Sequence, residues 1–255
     1  MNKALFLILP TIILFSFSAN GAPKSPTTDV SSTETRTSMI EDENGAYNVL
    51  SIFEFEYNKR GELLRRIQKA GSGDVTVTYV HNKKGQLIEK HLLYSDQYTN
   101  KYTYSYNPDG TFWKREYDLL NDGSVERSVE VIYDNNGNVM EAIHFGNGTY
   151  YSYSFDYLNP TAFVKTRSDT GDFFYYTTDD NGNILTKSHY LMDQVYAVDL
   201  PQYSLLSIYN KQGALLAEYE TNGFGLDAKR RSYIYSYDGG YNGPQLDDWI
   251  YNYLQ

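Results

Sequence analysis

The sequence predicts an all-β fold: an antiparallel meander of about eight repeated β-hairpins forming a curled or shell-like sheet, followed by a short C-terminal helix. Three observations carry this reading. An Asn or Asp followed three residues later by Gly recurs every two dozen residues or so, as Asn58 and Gly61, Asn82 and Gly85, Asn107 and Gly110, Asp134 and Gly137, Asp179 and Gly182, and Asn210 and Gly213. Before the turns, apolar residues alternate with polar ones, as in Phe53, Phe55 and Tyr57 or Tyr102, Tyr104 and Tyr106, the pattern of a half-buried strand. At the second position after each Gly stands another apolar residue: Leu63, Leu87, Phe112, Val139, Ile184 and Leu215.

Together these patterns predict the turn and its register. An Asn or Asp opening a type I turn accepts a hydrogen bond from the backbone two residues on, and Gly in the fourth place tolerates positive φ. Pro108 presets the second turn position in the third copy. A type I turn followed by a left-handed Gly makes a bulged three-residue hairpin, which sets Tyr57 against Leu63, His81 against Leu87, Tyr106 against Phe112, Tyr133 against Val139 and Tyr209 against Leu215. A slip of one residue would put every one of these apolar pairs on the wrong face. Two worn copies, Tyr151/Tyr153/Phe155-Asp156 and Tyr233/Tyr235/Tyr237-Asp238, complete the eight units.

The strand-and-turn stretch ending in Tyr133-Asp134-Asn135-Asn136-Gly137-Asn138-Val139 resembles the tyrosine-aspartate repeats of Rhs/YD-repeat proteins, over about residues 53–241. That resemblance implies a wound β-sheet of the kind that forms hollow shells around toxin domains or occurs in wall-associated and adhesion proteins. Eight units are too few to enclose a domain, no distinct effector follows, and no Asp-Pro-x-Gly signature precedes the end, so the expectation is a short secreted relative.

Outside the repeats, residues 1–21 read as a signal peptide: Lys3, an apolar run over 4–17, then Ala19-Asn20-Gly21 as small residues for cleavage. Residues 22–46 read as a disordered Ser/Thr-rich tether, since nine of the fourteen residues from 25 to 38 are Ser or Thr. Residues 47–255 form the repeat domain, within which Leu246, Trp249, Ile250, Tyr253 and Leu254 fall at helical spacing behind Pro244. The chain has no Cys, which excludes disulfides and a lipid-modified Cys, and its net charge of −10 argues against nucleic acid and anionic membrane as partners. The expected location is secreted or periplasmic, at the cell envelope.

No catalytic constellation emerges. His81, His91, His144 and His189 are scattered over strands without metal-ligand spacing. Asp169-Thr170-Gly171 follows Arg167-Ser168 where an aspartic protease needs an apolar strand, and Glu54 and Glu56 fall on the polar face. The Asp-rich turns at Asp134 and Asp179 lack the spacing of a calcium loop, so no cofactor is expected. The feature least explained by a bare scaffold is the row Leu64, Ile88, Trp113, Met140, Leu185 and Leu216, one residue past the core row and pointing to the opposite face. Either this row packs against another part of the chain, or it is a partner-binding stripe with Trp113 as its hot spot. The expected function is a noncatalytic repeat scaffold presenting a Tyr-rich β-surface to an unidentified protein or glycan. A polysaccharide-acting hydrolase or lyase, and a structural component of an envelope or toxin-delivery system, are the alternatives.

Overall fold

The computed structural model describes residues 30–69, 74–94, 97–191, 201–222, 229–239 and Leu254. Its strands are β1 (Ser32–Glu41), β2 (Tyr47–Tyr57), β3 (Leu63–Lys69), β4 (Val75–His81), β5 (Leu87–Tyr94), β6 (Gln97–Tyr106), β7 (Phe112–Asp118), β8 (Arg127–Tyr133), β9 (Val139–Gly146), β10 (Thr149–Asn159), β11 (Ala162–Arg167), β12 (Phe173–Thr178), β13 (Ile184–Tyr190), β14 (Tyr203–Tyr209), β15 (Leu215–Asn222) and β16 (Lys229–Gly239). Each pairs antiparallel with its chain neighbours, and β16 pairs with β1, so the sheet is a closed barrel.

Closure corrects the expected fold. The sheet is not an open curl of eight hairpins, because the eighth partner strand comes from the other end of the chain. Thr35 opposes Asp238 and Arg36 opposes Tyr237 across this seam. The supposed tether supplies that strand. Thr suits a pleated surface, and the inward positions of β1 are satisfied by specific partners. Tyr57 Oη donates to Glu34 at 3.3 Å, Ser38 and Ser51 hydroxyls bond at 2.6 Å, and the Arg36 guanidinium lies 5.1 Å from the Phe53 ring centroid. Pairing on both sides also removes the sheet edges that an open curl would expose. The helix expected over 246–254 lies, apart from Leu254, outside the described residues, as does the signal peptide.

The turns follow the sequence closely. All six repeat glycines have positive φ, between 76° and 94°. In the first copy Gly61 N–H donates to the Asn58 carbonyl and Asn58 N–H to the Glu62 carbonyl, both at 3.0 Å, while Asn58 Oδ1 accepts from Arg60 N–H and Glu62 N–H. The five predicted opposed pairs are all present. A second bulge follows one residue later in each hairpin: Glu56 opposes Arg65 while Tyr57 opposes Leu63, leaving Leu64 without an opposite number.

That second bulge decides what points inward. Leu63 faces the lumen, Leu64 and Arg65 both face out, and Arg66 faces in again, opposite Phe55. The inward face carries the core, including Phe55, Tyr57, Tyr79, Tyr104, Val129, Tyr153, Phe163 and Tyr176, and Leu254 is buried in the same cluster. The outward face carries ion pairs, such as Lys114 with Glu116 at 2.9 Å and with Glu130 at 3.2 Å.

Candidate ligand site at the barrel mouth

The double bulge gives the lumen its charge. Three residues past the inward post-turn residue stand Arg66, Lys90, Arg115 and Lys187, each opposite an inward aromatic: Phe55, Tyr79, Tyr104 and Tyr176. Lys165 opposite Phe155 and Arg36 opposite Phe53 extend the series around the wall. The cations lie on ring faces, Lys90 Nζ 4.3 Å from the Tyr102 centroid and Lys165 Nζ 3.8 Å from that of Tyr153, where the ring quadrupole attracts them. Inward carboxylates cluster near the seam. Glu34 accepts from Tyr57, Glu218 from Tyr235, and Glu220 from Tyr233.

On the other side of the lumen, Arg115, His144, Lys165 and Arg167 converge. His144 stacks on Tyr151 with centroids 4.8 Å apart and meets Tyr153 edge-on, and the Arg167 guanidinium covers Tyr151 at 4.4 Å. Burial, then the positive charge of Lys165, pushes the His144 imidazole down to about 4, with Arg115 and Arg167 acting the same way and the Leu254 backbone opposing them. Its Nε2 has no hydrogen-bond partner among the described residues. Burial, and then neighbouring Lys187, holds Lys165 well below the ordinary lysine range, and its Nζ also lacks a hydrogen-bond partner there.

Arg115 and His144 of this cluster line a cavity of about 430 Å³ at the rim opposite the repeat turns, where β9 passes into β10. It is lined by Tyr102, Tyr117 and Tyr151, with Arg115, Arg127 and His144 among them, and by Gly146, Asn147 and Thr149 where β9 passes into β10. Arg115 lies 5.2 Å from the Tyr102 centroid and Arg127 4.5 Å from that of Tyr117, so each guanidinium is held against a ring. Among the described residues, no Asp or Glu lines the cavity. Its volume suits a small molecule or the end of a longer one.

The residues singled out from the sequence lie elsewhere, with one exception. Leu64, Ile88, Trp113, Met140, Leu185 and Leu216 are the unpaired residues of the six second bulges, spread around the outer face near the turn rim. The fold does not gather them into a concave site; Met140 and Leu216 are exposed and the others are partly covered. Glu54 and Glu56 face out beside Lys69 and Arg65. Asp169 accepts from Arg167 in a turn, His91 pairs with Glu89 at 2.9 Å, and the carboxylates of Asp134 and Asp179 are taken up by turn amides. Only His144, read from the sequence as a strand-face residue, lies in the cavity.

No protein-family model matches the chain, and no curated protein matches it. Among solved structures it is similar to a porin-like protein from Bacteroides uniformis, at 12% identity and a TM-score of 0.52, covering 84% of this chain and 99% of that one. The likeness is one of fold. Overlaps with TcdB2-TccC3 (TM-score 0.34, 10% identity) and with the Photorhabdus luminescens Tc holotoxin pore (TM-score 0.27, 16% identity) cover 72% and 71% of this chain. They take in only 13% and 12% of those much longer chains. At such scores they carry no argument, and the tyrosine-aspartate resemblance rests on its motif.

Proposed function

We propose that this chain is a noncatalytic binding barrel of the cell envelope, secreted or periplasmic, that takes a glycan or a comparable small ligand at its open rim. The observation that carries the reading is the cavity itself, lined by Tyr102, Tyr117 and Tyr151 beside Arg115 and Arg127. Tyrosine side chains offer rigid, amphipathic contact area at low entropic cost. Hydrolysis of a glycosidic bond by the usual route needs two carboxylates flanking it, and the cavity wall has none among its described residues, which favours binding over turnover. The apolar run at residues 4–17 and the porin-like fold support an envelope location.

The barrel works in water on this reading. A membrane-spanning barrel turns an apolar band about 25 Å tall toward lipid and polar residues inward. Here the outer face carries ion pairs, Glu56 with Arg65, Glu89 with Lys101, and Lys114 with Glu130, among its exposed apolar residues, and the inward face is filled by aromatic rings interleaved with charged side chains rather than left open. A cation on the lipid face costs about 2–4 kcal/mol at the bilayer midplane. Trp113 and the rest of the bulge row are a second proposed contact, for a protein or glycan lying along the outer face.

Calorimetric titration with a panel of mono- and oligosaccharides tests the cavity reading. Binding that is lost in Tyr151→Ala, with Tm changed by no more than the lost stacking explains, is the expected result. Binding unaffected by Tyr151→Ala and by Tyr117→Ala places the ligand elsewhere and overturns it.

A further inference from the structure

The outer wall is divided by charge. Between β2 and β9 its outward positions carry ion pairs, Glu56 with Arg65, Glu89 with Lys101, and Lys114 with Glu130. From β11 to β15 the outward positions hold no charged residue at all. The charged residues of these five strands are Lys165, Arg167, Lys187, Glu218 and Glu220, and register sends each to the lumen side, opposite Phe155, Tyr153, Tyr176, Tyr233 and Arg231 respectively. What faces out instead has an apolar centre. Leu206 opposes Tyr219 across β14 and β15, Ile208 and the bulge residue Leu216 adjoin them, and all four are exposed. Hydroxyls frame this centre: Thr186 opposes Leu206 on one side, Ser232 opposes Tyr219 on the other, and Ser204 faces Thr221 two residues along.

An apolar centre depleted of charge and ringed by polar groups is the make-up of a protein interface. The rest of the chain says which protein fits it. With a net charge of −10, two copies repel each other wherever their charged walls meet. In a two-fold contact the same patch faces itself, so like charges oppose near the axis unless the patch has none. The β11–β15 panel meets that condition over five adjacent strands. We propose that it is the contact surface of a two-fold homodimer of this chain, with Leu206, Ile208 and Tyr219 at its centre. Strands about 4.8 Å apart and six residues of about 3.4 Å rise make the panel about 24 Å wide and about 20 Å tall. Two such panels, fully covered, bury about 1,000 Å² in total, the low end for a specific interface, so the dimer is a weak one. The hydroxyls tell against lipid as the occupant, since a bilayer-facing band is apolar over about 25 Å. The cavity draws its lining from β6–β10, so the two surfaces do not overlap.

The test is sedimentation equilibrium of the purified protein between about 1 μM and about 1 mM, at low and high salt. A monomer–dimer equilibrium is expected, and it should tighten as salt rises, because salt screens the repulsion between the copies and the contact has no ion pair to lose. Leu206→Lys and Tyr219→Lys, each at an exposed position, should raise the dissociation constant at least about tenfold, since every substitution enters a two-fold contact twice. Ile132→Lys, at an exposed apolar position opposite Glu141 on the charged wall, should leave it unchanged. Circular dichroism and thermal unfolding check that each variant is folded, and the salt response of the unaltered chain decides independently of them. A monomer at every concentration overturns the proposal. So does a dimer that weakens with salt, or one no more sensitive to Leu206→Lys and Tyr219→Lys than to Ile132→Lys. A monomer that binds lipid vesicles and is released by Leu206→Lys overturns it in favour of a membrane contact.

Discussion

At Gly85 two constraints of the repeat coincide. Its φ of +82° is one that L side chains rarely adopt, and a Cβ there would stand 2.9 Å from Oε1 of Glu62, a residue of the preceding repeat turn. Glu62 in turn accepts from the Asn58 side chain. Four residues separate the members of each such pair, and the chemistry alternates to suit: amide to oxygen in Asn82 and Gln86 at 2.8 Å, acid to amide in Asp134 and Asn138 at 3.0 Å. Gly137 has the same backbone strain at φ +85° with nothing within 4 Å of the absent Cβ. Gly137→Ala is therefore expected to cost about 1–2 kcal/mol from strain alone. Gly85→Ala should cost only slightly more, because the carboxylate end of the flexible Glu62 side chain must swing aside. Thermal unfolding of the two variants checks this, and equal losses would mean that neighbouring turns do not support one another.

Elements divide into those whose sequence declares them and those it conceals. Hairpins around Gly61, Gly85, Gly110, Gly137, Gly182 and Gly213 were legible because turn chemistry and apolar alternation agree on one register. The cation series was not. Strict alternation from Leu63 puts Arg66 on the outer face, and only the bulge at Leu64 returns it to the lumen. Apolar residues at Leu64, Ile88 and Trp113 were a usable signal of that bulge, being apolar where alternation demanded polar. Strand β1 was hidden for another reason. Its inward residues are Glu34, Arg36 and Ser38, which are held by hydrogen bonds and ring faces and leave no apolar period to read. The seam offers a direct check, because the chain has no native Cys. Thr35→Cys with Asp238→Cys, opposed residues of β1 and β16, should oxidise within one chain and raise stability by about 2–4 kcal/mol. Disulfides formed only between chains, or none, would show that the sheet stays open.

On the scale of the whole molecule, the proposal that the barrel works in water rests on the ion pairs of its outer wall and on its filled lumen. Sixteen strands are enough to enclose a channel in a porin, yet here Tyr, Phe and the stems of Lys and Arg crowd the inward face, and Tyr176 and Lys165 are completely buried. The likeness to a porin-like protein is one of fold, and the proposal of a filled binding vessel rests instead on the side chains that occupy the lumen and on the ion pairs of the outer wall. Nothing in strand count or turn chemistry separates a pore from such a vessel; what separates them is which face carries Glu56, Arg65, Lys101 and Lys114. Flotation of the purified protein with lipid vesicles, after removal of residues 1–21, sets the two against each other. The account predicts that the protein stays in the aqueous fraction at neutral pH and leaves the vesicles impermeable to ions. Recovery in the floating fraction, resistant to alkaline extraction and accompanied by ion leakage, would contradict it.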